Sequence, residues 1–362
     1  MDPTTTFCPK SNCPARGQTG QGPLASHARK EPRCLCPACQ KTVSATQGTV
    51  FSRRRTSAET VVIVGTFRAH GGPVQAMVAA WGFDERPVAD GWARSGHQGH
   101  AVHEYLVAQP RDWGQGQADE LRVQKQGGIG WRALAMMGKT RLGLGGEGSE
   151  PRAMPLIRRR IERVRRWAAP RPRLVCPEGV CPSIRAIRAT LRDPVRTGKG
   201  GRPRRRPWRH GLIAQVGKRD ERRRVLDTER RMVDGPPARV ETRRRRSQGD
   251  GGSKTASMER LNAPFREHLA PLARRCRALA RHTLTLHEGL FLGGTVDHFC
   301  TPHERFHPLQ KTTPAMAAGI TDHGWTMHEL LSFHVPLSCW APPTQRGRPS
   351  RALQRLIERW CS

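Results

Sequence analysis

The sequence predicts an α/β protein in which a small cysteine-rich segment and three short helices precede a mixed core of strands and helices. Three observations predict it. Two cysteine pairs, Cys8/Cys13 and Cys36/Cys39, fall in a Gly- and Pro-rich stretch with no hydrophobic period. Residues 57–97 show helical spacing broken by glycine turns. Beyond residue 110, two-residue alternation gives way to the three- and four-residue steps of "PLIRRRIERVRRWA".

Length and charge bound the function. The 362 residues suffice for two or three domains. Lys and Arg number 63 against 30 Asp and Glu, a net charge of +33. Arginine runs at 53–55, 158–160, 204–206, 222–224 and 243–246 spread that charge along the chain. Such a surface suits an acidic partner, most commonly nucleic acid. Arginine accumulation under GC-rich coding is the alternative. With a single Tyr and 5% aromatic residues, few platforms exist for stacking unpaired bases, which disfavours an RNA-binding role. No apolar run approaches the ~18–20 residues that span a bilayer. The start, "MDPTTTFCPK", lacks the charged-then-apolar layout of a secretory signal. The expectation is a soluble cytoplasmic protein, associated with the nucleoid and not with membrane. The 11 cysteines are too sparse for a disulfide scaffold, so metal binding or free thiols are expected.

The first segment, residues 1–50, is a zinc-ribbon-like unit. Cys8, Cys13, Cys36 and Cys39 have the thiolate chemistry of a tetrahedral Zn²⁺ site, with Cys34 as a spare or alternative ligand. Residues 51–98 follow as three helices. Val61, Val62, Val64 and Phe67 mark the first. Val74, Met77, Val78 and Trp81 mark the second. "DERPVADGWARSG" supplies the third. Helix, glycine turn, helix is the layout of a helix-turn-helix DNA reader, with Arg94 near its end, although any small three-helix bundle shares it.

Residues 98–109 read as a connecting helix. In "GQGQADELRVQKQ", Asp119, Leu121 and Val123 alternate onto one strand face, and Ala118, Glu120, Arg122 and Gln124 onto the other. An ionised Asp119 beside two aliphatics is costly unless paired or metal-bound. "WRALAMMGKT" and "TRLGLGG" read as the next two strands. The helix of residues 155–168 has an apolar stripe with its arginines outside. "PRLVC" is a short strand with Glu178 just past its end, where α/β sheets build sites. Residues 195–209 read as a basic linker and 234–256 as a mobile Gly-, Ser- and Arg-rich loop. "SKTASMERLNAPFREHL" then returns to helical spacing, placing Glu259, Asn262 and Arg266 in a polar stripe beside Met258, Leu261, Phe265 and Leu269. A second helix is expected near 274–290, and 301–362 as a basic C-terminal region. Arg202 and Arg204 in "GGRPR", and Arg346 and Arg348 in "RGRP", are candidate minor-groove contacts. "DHFCTPHERFH" gathers His298, Cys300, His303 and His307, read as a surface histidine group around a buried cysteine.

Asp119 on the first core strand, Glu178 after the fourth and Glu259 on the late helix give the layout of a ribonuclease H-like core over residues 110–300. There, three distant carboxylates converge to hold two Mg²⁺ or Mn²⁺ ions for phosphoryl transfer.

The stretches "FCPKSNCPARGQTGQG", "QADELRVQKQGG", "PVRTGKGGRPR", "SMERLNAPFR", "RALARHTLTL" and "TPAMAAGITDHGWTMHELLS" together resemble bacterial insertion-sequence transposases of the DDE type with an N-terminal zinc ribbon and helix-turn-helix. The resemblance implies cleavage at insertion-sequence ends and joining of the freed 3′-hydroxyls to target DNA. It implies double-stranded DNA as partner and a homo-oligomer on paired ends. It places the catalytic, metal-holding acids at Asp119, Glu178 and Glu259. Asn262 and Arg266 would orient a carboxylate or contact DNA phosphate.

The chain departs from the family in four places. Glu178-Gly179 replaces an Asp-Gly step, and Ser183 replaces a tyrosine. Pro264 interrupts the Glu259 helix, and Gly143 stands where a larger side chain packs. One extra methylene moves a carboxylate by about an ångström, enough to cost on the order of 100-fold in an aligned site. The alternative function is therefore a catalytically inactive, sequence-specific DNA-binding protein derived from a transposase.

Overall fold

In the computed structural model, the described residues are 8, 13, 25–28, 33–44, 46–52, 56–149, 154–169, 172, 174–177, 181–195, 204–205, 211–221, 224–248, 256–272, 283–304, 306 and 311–335. The cysteine segment forms an antiparallel sheet of β1 (Ala25–Ala28), β2 (Arg33–Cys36) and β3 (Lys41–Ser44), in that order. The turn joining β2 to β3 contains Cys39, and Gln40 takes the left-handed conformation there (φ 52°).

Helices α1 (Ala58–Ala69), α2 (Val74–Trp81) and α3 (Glu85–Val102) follow. Ser57 caps α1 by accepting from the Thr60 N–H. Gly82 ends α2 at φ 65°, a conformation that suits glycine. Val64, Met77 and Val88 form the small core these helices share. The connecting helix expected at 98–109 is a continuation of α3, which runs on into a π-helical turn at His103–Val107. Arg163 ties that turn to the sheet layer through Glu104, at 2.5 Å.

The main sheet has six strands: β4 (Gln115–Lys125), β5 (Gly128–Met137), β6 (Gly143–Ser149), β7 (Leu174–Pro177), β10 (Leu212–Glu221) and β11 (Arg224–Asp234). Their spatial order is β11-β10-β7-β4-β5-β6. The β4-β5-β6 pairings are antiparallel, β7 is parallel to both β4 and β10, and β11 closes the edge antiparallel to β10. The crossovers that parallel pairing requires are helical: α4 (Met154–Trp167) leads into β7, and α5 (Cys181–Leu191) leaves it. A pair of two-residue strands, β8 (Pro194–Val195) and β9 (Arg204–Arg205), overlaps the stretch expected as a linker at 195–209.

Each face of the sheet has its own cover. Ile157 and Ile161 of α4 pack with Ala186, Ile187 and Leu191 of α5 against Val175 and Ile213. On the other face, Leu121 and Val123 share a core with Phe265, Leu269 and Leu272. Two expectations are corrected here. The loop expected to be mobile at 234–256 contains α6 (Pro237–Gln248). Gly235 (φ 104°) turns the chain, Pro237 suits a first helical turn, and Val240 anchors the helix over Leu174, Cys176, Leu212 and Ala214. The arginine count had masked that single apolar anchor. The arginines of α4 are also not all outside: Arg160 lies three residues after Ile157, on the buried face, and is 2% exposed.

Helix α7 (Ala256–His268) runs through Pro264, and a 3₁₀ turn at Ala270–Leu272 follows. Of the helix expected near 274–290, residues 274–282 lie outside the described residues, and the described helix, α8, runs further along the chain, Thr283–Phe299. It lies along α3 at close approach. A Cβ on Gly96 would stand 2.4 Å from the Glu288 Cβ, and one on Gly99 would stand 3.1 Å from the Leu292 Cα. The C-terminal region is integral to this body as far as Val335. Helix α9 (Pro314–Ala317) is capped by Thr313, and α10 (Met327–Ser332) carries a Thr326/Glu329 capping box. The Leu331 carbonyl accepts from the Val50 N–H, and Gln98 of α3 donates to the Phe333 carbonyl at 2.6 Å. The three-helix unit at 51–98 therefore shares its core with residues 283–335. Among the described residues, no helix is long and apolar enough to cross a membrane.

Candidate functional site

Asp119 lies on β4, flanked by β7 and β5. Its carboxylate is fixed at both oxygens. Oδ1 accepts from the Glu120 N–H at 2.7 Å, and Oδ2 accepts from Asn262 Nδ2 at 2.5 Å. Asn262 is 0% exposed. It sits on α7 one turn after Glu259, so this bond brings the segment carrying Glu259 to the Asp119 strand. The Glu259 side chain is outside the described residues. So is Glu178, which follows Pro177 directly in the chain. The last described β4–β7 register pair joins Ala118 to Pro177.

Behind Asp119, on the opposite face of β4, stands a buried ion pair. Arg160 Nη1 donates to Glu120 Oε1 at 2.5 Å and to the Asp119 carbonyl at 3.3 Å. Both side chains are 3% exposed or less. The Arg160–Glu120 pair and the Asn262–Asp119 bond thus grip adjacent residues of β4 from its two faces. Sequence patterning missed Arg160, although its place beside Ile157, Ile161 and Val164 was the available signal.

The second site is the cysteine cluster. The sulfurs of Cys8, Cys13, Cys36 and Cys39 lie within 4.8 Å of one another. The Cys8–Cys39 and Cys13–Cys36 separations are each 3.7 Å. Tetrahedral zinc with Zn–S bonds near 2.3 Å spaces its sulfurs by about 3.8 Å, so four thiolates here fit that ion. Burial alone would raise the Cys36 thiol. Hydrogen bonds from the Cys39 and Ala38 amides and from the Cys13 and Cys39 thiols bring it down to about 7, toward the ligand form. Cys34 is buried beside the group and is not part of it. Among the described residues, no other set of three or more His, Cys, Asp or Glu side chains converges this way.

The histidine group differs from its expected surface placement. His298 is 3% exposed, and its Nε2 accepts from the Gly143 N–H at 2.9 Å, joining α8 to the start of β6. Burial pushes the ring down to about 4, so it is neutral near pH 7. His303 pairs with Asp297 at 3.2 Å, and burial pushes the half-buried Cys300 thiol up to about 12. His307 lies outside the described residues.

The candidate DNA contacts divide similarly. Arg94 is exposed on α3, where it donates to Asp90 at 3.1 Å and to the Ser52 carbonyl at 3.4 Å. The Gly96 and Gly99 positions of the same helix are buried against α8. Arg266 is half-buried on α7. The Arg204 side chain and Arg202, Arg346 and Arg348 lie outside the described residues. No protein-family model matches the chain, and a comparison with curated proteins finds no match.

Proposed function

We propose that the chain is a transposase of the DDE type, cutting DNA at insertion-sequence ends and joining the cut ends to target DNA. The observation that carries this reading is the Asn262–Asp119 bond, which draws the Glu259 helix onto the central strand of the sheet. A three-strand meander, a helix, a parallel strand and a late helix, with acids on the first and last of these, is the layout expected of a ribonuclease H-like core.

In this reading Asp119, Glu178 and Glu259 hold two Mg²⁺ or Mn²⁺ ions. The donors present suit them, because hard cations prefer oxygen ligands. When bound, such ions stabilise charge on the attacking and leaving oxygens of an in-line displacement. Asn262 orients the Asp119 carboxylate, and the Arg160–Glu120 pair steadies the strand behind it. The cysteine cluster holds structural Zn²⁺ and stiffens the N-terminal unit. The α1–α3 unit, with Arg94, and the arginines at 202, 204, 266, 346 and 348 hold double-stranded DNA through its phosphates and grooves. Two or more copies act on paired ends, at the nucleoid.

The test is Mn²⁺- and Mg²⁺-dependent nicking of a duplex carrying the sequences that flank the chain's own reading frame. Wild type, Asp119→Asn and Glu178→Asp are run side by side. Cleavage by wild type that Asp119→Asn abolishes is the expected result. Cleavage by Glu178→Asp alone locates a lost activity in one methylene. Binding of the duplex with no cleavage by wild type or Glu178→Asp replaces the enzyme with a DNA-binding protein.

A further inference from the structure

Strand β4 directs alternate side chains to the face covered by α6 and α7: Gln115, Gln117, Asp119, Leu121 and Val123. Both ends of this row are anchored. Leu121 and Val123 pack with Phe265 and Leu269. Gln115 Nε2 donates to Cys176 Sγ at 3.2 Å. The middle is different. Gln117, opposite Cys176 in the register, is 3% exposed, and its Oε1 has no hydrogen-bond partner among the described residues. Asn262 Nδ2 donates to Asp119 Oδ2, and its Oδ1 likewise has no partner among the described residues. Flipping the Asn262 amide would set its oxygen against the Asp119 carboxylate at 2.5 Å, so the orientation is fixed by charge.

Native proteins rarely bury polar atoms unpaired, and two such acceptors on one face with a carboxylate call for a ligand. The chemistry selects its type. The ligand must carry a charge compatible with the neighbouring Asp119 carboxylate and bring hydrogen-bond donors to two amide oxygens. A phosphate brings neither. A hydrated Mg²⁺ or Mn²⁺ brings both, because these small ions keep several waters when bound by only one or two carboxylates.

We infer that Gln117, together with Asn262, binds the hydration shell of a divalent cation held at Asp119, their side-chain oxygens accepting hydrogens from its water. The inference rests on the reading of Asp119 as a metal ligand. It makes Gln117 a positioning residue and assigns this end of the site to the hydrated ion, with the nucleic-acid phosphate excluded.

The experiment is Mn²⁺ binding to the zinc-loaded full-length protein, read by electron paramagnetic resonance, with melting temperature measured without Mn²⁺. Wild type is compared with Asp119→Asn, Gln117→Met and Gln117→Glu. Gln117→Met removes the acceptor at similar volume. It should weaken Mn²⁺ binding by about 10-fold or more while raising the melting temperature, because a buried unpaired oxygen is gone. Gln117→Glu keeps an acceptor and should bind at least as tightly as wild type. A protein that binds Mn²⁺ through Asp119 but is indifferent to Gln117→Met overturns this inference alone. If Gln117→Met does not fold, weakened binding by Gln117→Glu overturns it. Absence of any Asp119-dependent Mn²⁺ binding overturns both the inference and the reading beneath it.

Discussion

Asn262 donates to Asp119 Oδ2 at 2.5 Å across 143 positions of chain, and its side chain is wholly buried. A hydrogen bond to a charged acceptor contributes about 1.5–3 kcal/mol. Asn262→Leu removes that bond to Asp119. The expected outcome is a cleavage rate lower by about 10–100-fold with the far-ultraviolet circular dichroism of the fold unchanged. An unchanged rate would remove Asn262 from the site.

Arg160 and Glu120 neutralise each other in a buried setting behind Asp119. Arg160→Met removes the buried cation from the Glu120 carboxylate and should cost about 3–5 kcal/mol in urea unfolding. The double variant Arg160→Met with Glu120→Leu should recover most of that loss, because an apolar pair of similar volume is often neutral. Equal destabilisation by the single and double variants would show that the pairing is not the cause.

Gly96 lets α3 approach α8 closely, with a Cβ meeting Glu288 backbone and side chain at 2.9 and 2.4 Å. Gly96→Ala gains helix propensity but forces the helices apart. The expected net loss is about 1–3 kcal/mol, measured by chemical denaturation. A stabilised Gly96→Ala protein would contradict the packing described for this interface.

Glu288 gives a pH dependence with a definite sign. Burial raises its carboxyl from 4.5 to about 7, so the folded protein prefers it protonated. Its contribution to stability is complete below pH 4.5 and is lost as pH rises through about 7. Glu288→Gln should flatten that part of the stability curve and leave the protein more stable at pH 8. Parallel curves for the two proteins would place the Glu288 titration elsewhere.

The cysteine cluster predicts one Zn²⁺ per chain by native mass spectrometry. Strong chelation should release it and raise the number of rapidly reacting thiols by four, those of Cys8, Cys13, Cys36 and Cys39. Cys36→Ser should lower zinc retention, whereas Cys34→Ser should not.

Much of this arrangement was legible in the sequence because it rests on periodicity and spacing. Alternation in "ADELRVQ" put Asp119 on the Leu121 face, and Leu121 does pack with Phe265 there. Glycine turns delimited α1 to α3, and the four cysteines named for zinc are the four that converge. What escaped had no period to read. Arg160 interrupts an apolar stripe, and its burial depends on Glu120 being opposite, 40 positions away. Helix α6 is held by Val240 within an arginine-rich stretch that by composition suits a loop. Residues 301–335 return to Val50 through a backbone hydrogen bond and to α3 through the Gln98 side chain, pairings that composition does not encode. Gln117 looks like any polar residue of a strand until its Oε1, unpaired among the described residues, is visible.

The most direct test is a crystal structure of the zinc-loaded protein soaked in Mn²⁺, with the manganese located by anomalous scattering. The account predicts two Mn²⁺ ions about 4 Å apart, bounded by carboxylate oxygens of Asp119 and Glu259. Manganese absent from Asp119, or Glu259 turned to solvent away from Asp119, would contradict it.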